Sequence, residues 1–96
     1  MNITATDIKE KMVFTRIGYE YRCIYYNDVF HCGVWRMTRP DGSLVGYEVV
    51  RCYRYRNPDG SIIYRYPGDE DFGVSGFYDR NLGRLMVHLD RWMELE

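Results

Sequence analysis

Tyr47-Glu48-Val49-Val50-Arg51-Cys52-Tyr53-Arg54-Tyr55-Arg56-Asn57-Pro58-Asp59-Gly60-Ser61-Ile62-Ile63-Tyr64-Arg65-Tyr66 is the stretch on which the fold turns. β-Branched and aromatic residues run on either side of Asn57-Pro58-Asp59-Gly60, in which proline presets the first corner and glycine accepts a positive dihedral. Two strands folded back on one another are therefore expected, Leu44 to Arg56 and Ser61 to Tyr66. Pro40-Asp41-Gly42-Ser43 repeats the turn chemistry upstream and makes Leu44 the return strand of an earlier hairpin. Working outward, strands are expected over Met12 to Ile17, Tyr19 to Tyr26 and Phe30 to Arg39. Gly18 and Asn27-Asp28 supply the turns between them.

Short turns between extended neighbours imply an antiparallel meander of about five strands. Downstream, residues 67–78 read as a loop rich in glycine and acid, with Phe72 and Phe77 as anchors. Leu82, Leu85, Met86, Leu89, Trp92 and Met93 then recur at helical spacing. A C-terminal helix is expected over 79–95, with Asp79 as its cap. Gly83 weakens that helix by about 1 kcal/mol relative to alanine. Asp7 and Glu10 have the spacing of a capping box for one early helical turn. The fold class is α+β: residues 12–66 form the sheet, the helix packs across one face, and residues 1–96 make one domain.

In the long strand, Val45, Tyr47, Val49, Arg51, Tyr53 and Tyr55 share one face, while Glu48, Val50, Cys52, Arg54 and Arg56 share the other. Neither is cleanly apolar, so the second half should project into solvent.

The chain has eleven Arg but two Lys, and ten of its aromatic residues are tyrosine. Arginine stacks on rings and makes bidentate hydrogen bonds, so it suits a tyrosine-rich surface. The net charge of -1 excludes a strong global pull toward nucleic acid or membrane. The balance is uneven: residues 16–66 are basic and residues 67–96 acidic. Cys23, Cys32 and Cys52 are odd in number and lack a close pair, which points to buried thiols in a reducing compartment. The first eleven residues lack the apolar run of a signal peptide, and no stretch has transmembrane length. A soluble cytoplasmic protein is expected, without membrane contact.

The motifs that suggest chemistry fail on their surroundings. Asp71-Phe72-Gly73 matches a kinase metal motif, but no phosphate-binding or catalytic loop accompanies it. Asp69, Glu70 and Asp71 lack the spacing of a calcium hand and read instead as a second candidate patch for a basic partner. His31 and Cys32 are neighbours in a strand, so their side chains point to opposite faces and form no nucleophile–base pair. No catalytic residue, metal site or cofactor is assigned. The candidate partner-binding residues are Arg51, Tyr53, Arg54, Tyr55, Arg56, Tyr64, Arg65 and Tyr66. They have the composition of a protein-interface hot spot and also of a single-stranded RNA- or DNA-binding platform. The fifth strand, if an open edge, would allow homodimer formation by strand pairing.

Gly18-Tyr19-Glu20-Tyr21, Gly46-Tyr47-Glu48-Val49-Val50-Arg51, and Tyr66-Pro67 leading to Asp71-Phe72-Gly73 carry a further indication. With the closing leucine-containing helix, the chain from 14 to 93 resembles a loosely defined group of small proteins from phages and mobile elements of Bacteroidetes-type bacteria. The resemblance supplies no catalytic residues. It implies a non-enzymatic inhibitor that binds and blocks a host or defence protein in the bacterial cytoplasm, in the manner of anti-CRISPR proteins; the acidic patch of Asp69, Glu70 and Asp71 would suit a basic, nucleic-acid-handling partner.

Overall fold

Two turns of the same construction organise the middle of the chain. Asp41 Oδ1 accepts from the Ser43 amide at 2.9 Å and its hydroxyl at 2.7 Å, and Asp59 does the same with Ser61 at the same distances. In both, the glycine amide returns to the residue before proline, and Gly42 and Gly60 have φ of 89° and 92°. These hydrogen bonds hold the Asp41 and Asp59 carboxyls below the usual carboxylate range.

The computed structural model describes residues 8–68 and 73–93. A 3₁₀ turn over Ile8–Lys11 precedes β1 (Val13–Arg16), β2 (Tyr19–Asn27), β3 (Cys32–Thr38) and β4 (Leu44–Arg51). Next come β5 (Tyr53–Arg56), β6 (Ile62–Arg65), β7 (Gly76–Asp79) and α1 (Leu82–Trp92). The fold is α+β. A five-stranded antiparallel sheet has the order β1-β2-β3-β4-β7, and β5 with β6 forms a separate two-stranded ribbon. The proposed Asp7 cap lies outside the described residues.

Three sequence expectations are corrected. The long strand does not run from Leu44 to Arg56 but breaks at Cys52. Its neighbour explains why: β3 begins at Cys32, opposite Arg51, and the chain before it turns away at His31, whose φ is 57°. On the other side β7 begins at Gly76, opposite Val50. Beyond Arg51 no ladder continues, so the chain leaves the sheet and β5 pairs with β6 alone. The fifth strand of the sheet is thus β7, inside the stretch expected to be a loop, and β6 is an edge of the ribbon. Finally, Asn81, not Asp79, caps the helix: its Oδ1 accepts from the Gly83 amide at 2.9 Å. Asp79 supports the cap by accepting from the Asn81 amide at 2.8 Å.

The sheet is covered on both faces. Leu85, Leu89 and Met93 of α1 pack on Cys32, Val34 and Val49. Burying a leucine contributes roughly 1.5–3 kcal/mol, so this stripe is what holds the helix down. The opposite face carries Tyr21, Trp35, Met37, Val45 and Val50, closed over by Ile8, Cys52 and Tyr66. Trp35 is fully buried and its indole N–H donates to the Lys11 carbonyl at 2.7 Å.

Val45 joins Val50 rather than Val49 because the β3–β4 register shifts between Met37 and Thr38, leaving Val45 as the extra residue. A second shift, between Cys23 and Tyr25, lets the β2 backbone close on Gly33. A Cβ at Gly33 would press on the Tyr25 carbonyl oxygen and sit 3.1 Å from the Trp35 and Tyr26 rings.

A candidate partner-binding cleft beside the ribbon

Pairing in the ribbon sets which side chains share a face. Tyr53 lies opposite Arg65, Arg54 opposite Tyr64, Tyr55 opposite Ile63 and Arg56 opposite Ile62. Residues alternate, so Tyr53, Tyr55, Ile63 and Arg65 occupy one face and Arg54, Arg56, Ile62 and Tyr64 the other. On the first face the Arg65 guanidinium stands 5.8 Å from the Tyr53 ring centroid, a cross-strand cation–π contact. The Tyr53 hydroxyl donates to Ser75 Oγ at 2.9 Å, which ties the ribbon to the segment entering β7. Tyr55 is half-buried.

Of the candidate partner-binding tyrosines, Tyr66 is not at the surface and Tyr64 is only partly exposed. Tyr66 is buried, edge-on to Trp35 at 5.1 Å and to Phe14 at 5.3 Å. Its hydroxyl donates to Glu48, itself buried, and Arg16 lies 3.7 Å from the same carboxylate. Burial, and then the Glu48 charge, push the Tyr66 pKa well above the ordinary tyrosine value. Tyr64 stacks face to face on His31, with centroids 3.4 Å apart. Tyr66 is a core residue, and Tyr64 has one ring face occupied.

Where β4 leaves the sheet, an open cleft of about 400 Å³ forms between the ribbon and the main body. Arg51, Cys52, Tyr53, Arg54 and Tyr64 line one side, and Phe30, His31 and Ser75 the other. The Cys52 amide donates to the His31 carbonyl at 2.7 Å and the Arg51 amide to the Ser75 carbonyl at 2.8 Å, so both walls are pinned to the strand end. Asn27 builds the wall that carries Phe30: its Oδ1 accepts from the Val29 and Phe30 amides at 2.9 and 3.0 Å. This loop leaves Val29 73% and Phe30 42% exposed, and Val74, the chain neighbour of Ser75, is 75% exposed. Among the described residues, Arg51, Arg54 and Arg56 have no carboxylate within ion-pair distance.

The cleft thus combines guanidinium charge that has no ion pair among the described residues with the apolar ring of Phe30, itself next to the exposed Val29. Of the sequence-assigned residues it gathers Arg51, Tyr53, Arg54 and Tyr64. Arg56 and Tyr55 lie further along the ribbon. Phe30, His31, Ser75, Val29 and Val74 were not assigned. Val29, a β-branched apolar residue directly after Asn27-Asp28, was the signal available for that loop. Asp69, Glu70 and Asp71 lie outside the described residues.

Among the described residues, the environments of the three thiols hold them in the neutral form. Burial pushes the Cys52 thiol up to about 12 and raises Cys32 as well, which disfavours the thiolate. His31 Nδ1 lies 3.3 Å from the Tyr26 hydroxyl, and burial lowers the imidazole pKa against the opposing pull of Asp28. No group of three or more metal-ligating side chains occurs among the described residues. The basic side chains before and along α1 do not form one free basic face among the described residues. Arg80 donates to the Leu44 and Val45 carbonyls, Arg84 lies 3.9 Å from Asp79, and His88 stacks on Phe77.

Among the described residues no helix is long and apolar enough to cross a membrane. No protein-family model, curated protein or solved structure matches the chain.

Proposed function

We propose that this protein is a non-enzymatic binding protein that occludes a protein partner with the cleft and ribbon. The observation that carries this reading is the conjunction of Arg51, Arg54 and Arg56, free of ion pairs among the described residues, with the part-exposed Phe30 that lines the same cleft and the exposed Val29 and Val74 beside its lining residues in the chain. Arginine and aromatic anchors beside a desolvatable apolar patch are the composition of interface hot spots. The resemblance to small phage and mobile-element proteins gives the reading its direction: the partner is a host or defence protein in the bacterial cytoplasm, blocked as an anti-CRISPR protein blocks its target. A nucleic-acid-handling protein fits that role.

Direct binding of single-stranded nucleic acid by the same face is less well supported. Base stacking needs open ring faces, but Tyr66 is buried and one face of Tyr64 is taken by His31.

The test is a pull-down from phage-infected bacterial lysate, with and without nuclease, using the wild type, Arg54→Glu/Arg56→Glu and Phe30→Ser. A protein retained by the wild type in both halves and lost from both folded variants is the expected result. Retention by the variants removes the site, and recovery of nucleic acid alone, lost on nuclease treatment, replaces the reading with the nucleic-acid one.

A further inference from the structure

We infer that the cleft is a carboxylate-binding subsite, and that the partner segment it takes is an acidic stretch of polypeptide carrying an aliphatic or aromatic anchor; this rests on the protein-binding reading above. Arg51 and Arg54 enter the same cleft from successive strands, both exposed and without ion pairs among the described residues. Two guanidinium groups held on backbone that is itself pinned by neighbouring hydrogen bonds are arranged for an oxyanion. The same cleft holds a neutral donor. Ser75 Oγ accepts from Tyr53, so its own hydroxyl proton is left to donate, and no acceptor for it occurs among the described residues. Ser75 is buried, so a group reaching it leaves bulk water, where a charge-assisted hydrogen bond strengthens.

The rest of the cleft chooses among oxyanions. Phe30 lines the cleft, and the exposed Val29 and Val74 are chain neighbours of its lining residues Phe30 and Ser75, so the charge adjoins apolar surface that a polynucleotide backbone leaves unmatched and an aliphatic or aromatic side chain covers. The net charge of -1 opposes a long polyanion, whereas a short acidic segment meets only the local field. Arg56, one pleat beyond Arg54 on the same ribbon face, extends the positive row along an extended segment.

The probe is a fluorescein-labelled eight-residue peptide with four glutamates flanking a central leucine and phenylalanine. It is compared by anisotropy with its glutamine counterpart and with an octamer of uridylate, on the full chain. The glutamate peptide should bind at least about fivefold more tightly than the glutamine one, and the difference should shrink from about 0.05 to about 0.5 M salt. Arg51→Gln/Arg54→Gln should abolish the preference while leaving the far-ultraviolet circular dichroism unchanged. Ser75→Ala, which keeps both charges, should weaken the glutamate peptide alone. Equal affinity for the two peptides, absence of binding, or tighter binding of the uridylate octamer each overturns the assignment. Failure here is separable from failure of the protein-binding reading. If lysate capture is lost in Phe30→Ser but kept in Arg51→Gln/Arg54→Gln, the face stands and its carboxylate chemistry falls.

Discussion

Gly33→Ala should cost far more than Gly46→Ala, although both glycines are buried in adjacent central strands. At Gly33 the new methyl meets backbone, the Tyr25 carbonyl oxygen, and lies 3.1 Å from two packed rings, one of them the fully buried Trp35. Neither wall can yield without shifting the β2–β3 ladder at its bulge. Overpacking of this kind costs about 1–3 kcal/mol and occasionally more. Stiffening the unfolded chain offsets only about 0.4–1 kcal/mol. A net loss of about 2 kcal/mol or more is expected, which for a chain of this size lowers Tm by roughly 8–16 °C. At Gly46 the methyl meets the ring of Tyr78, with Oη at 2.8 Å, but Tyr78 is 49% exposed and can swing out. It then loses its hydrogen bond to the Val45 carbonyl, about 1 kcal/mol, but Arg80 still donates to that oxygen. The unfolded-state gain nearly cancels the loss, so Gly46→Ala should fall within about 1 kcal/mol of wild type. Urea denaturation followed by tryptophan fluorescence measures both. A Gly33→Ala variant as stable as Gly46→Ala would show that the Tyr25 carbonyl does not crowd Gly33 and would refute the bulge.

Two further outcomes are expected. Ile17 sits at the β1–β2 hairpin tip with φ of 47° and 77% exposure, a left-handed position that costs a β-branched residue about 1–2 kcal/mol. Ile17→Asn should therefore raise stability by about 1 kcal/mol in thermal melts; a drop would mean the side chain has a stabilising contact. The Cys52 pKa of about 12 lies above the ordinary thiol value of 9.0, so its stabilising contribution is complete below pH 9 and is lost as pH rises toward 12. The slope from this one group is at most about 1.4 kcal/mol per pH unit. Stability measured from about pH 8 to about pH 9.5, below the ordinary tyrosine pKa of about 10, should fall more steeply in wild type than in Cys52→Ala, and equal slopes would count against a buried neutral thiol.

What was legible in the sequence was what local chemistry decides. The two Pro-Asp-Gly-Ser turns, the alternation in β1 to β4 and the leucine stripe of α1 each carry their own physical cause. The break at Cys52 does not: Tyr53-Arg54-Tyr55-Arg56 continues the strand pattern, and the interruption is imposed by the turn at His31 before β3 and by the start of β7 at Gly76. β7 is four residues long and is a strand only because β4 offers it an edge. Val45 changes face through a bulge that no periodicity signals. The same division holds at the candidate site. Arg51, Tyr53, Arg54 and Tyr64 follow from composition, whereas the burial of Tyr66 depends on Glu48 in another strand, and Phe30 reaches the cleft through a loop organised by Asn27.

The separation of the ribbon from the five-stranded sheet also bears on how this protein can change over generations. Tyr64 and Tyr66 are tied to the main body, but Arg54 and Arg56 hang on a two-stranded arm whose ladder is its own. Substitutions along that row leave the register of every sheet strand untouched. The arm can therefore accept new side chains while the sheet and helix that support it keep theirs.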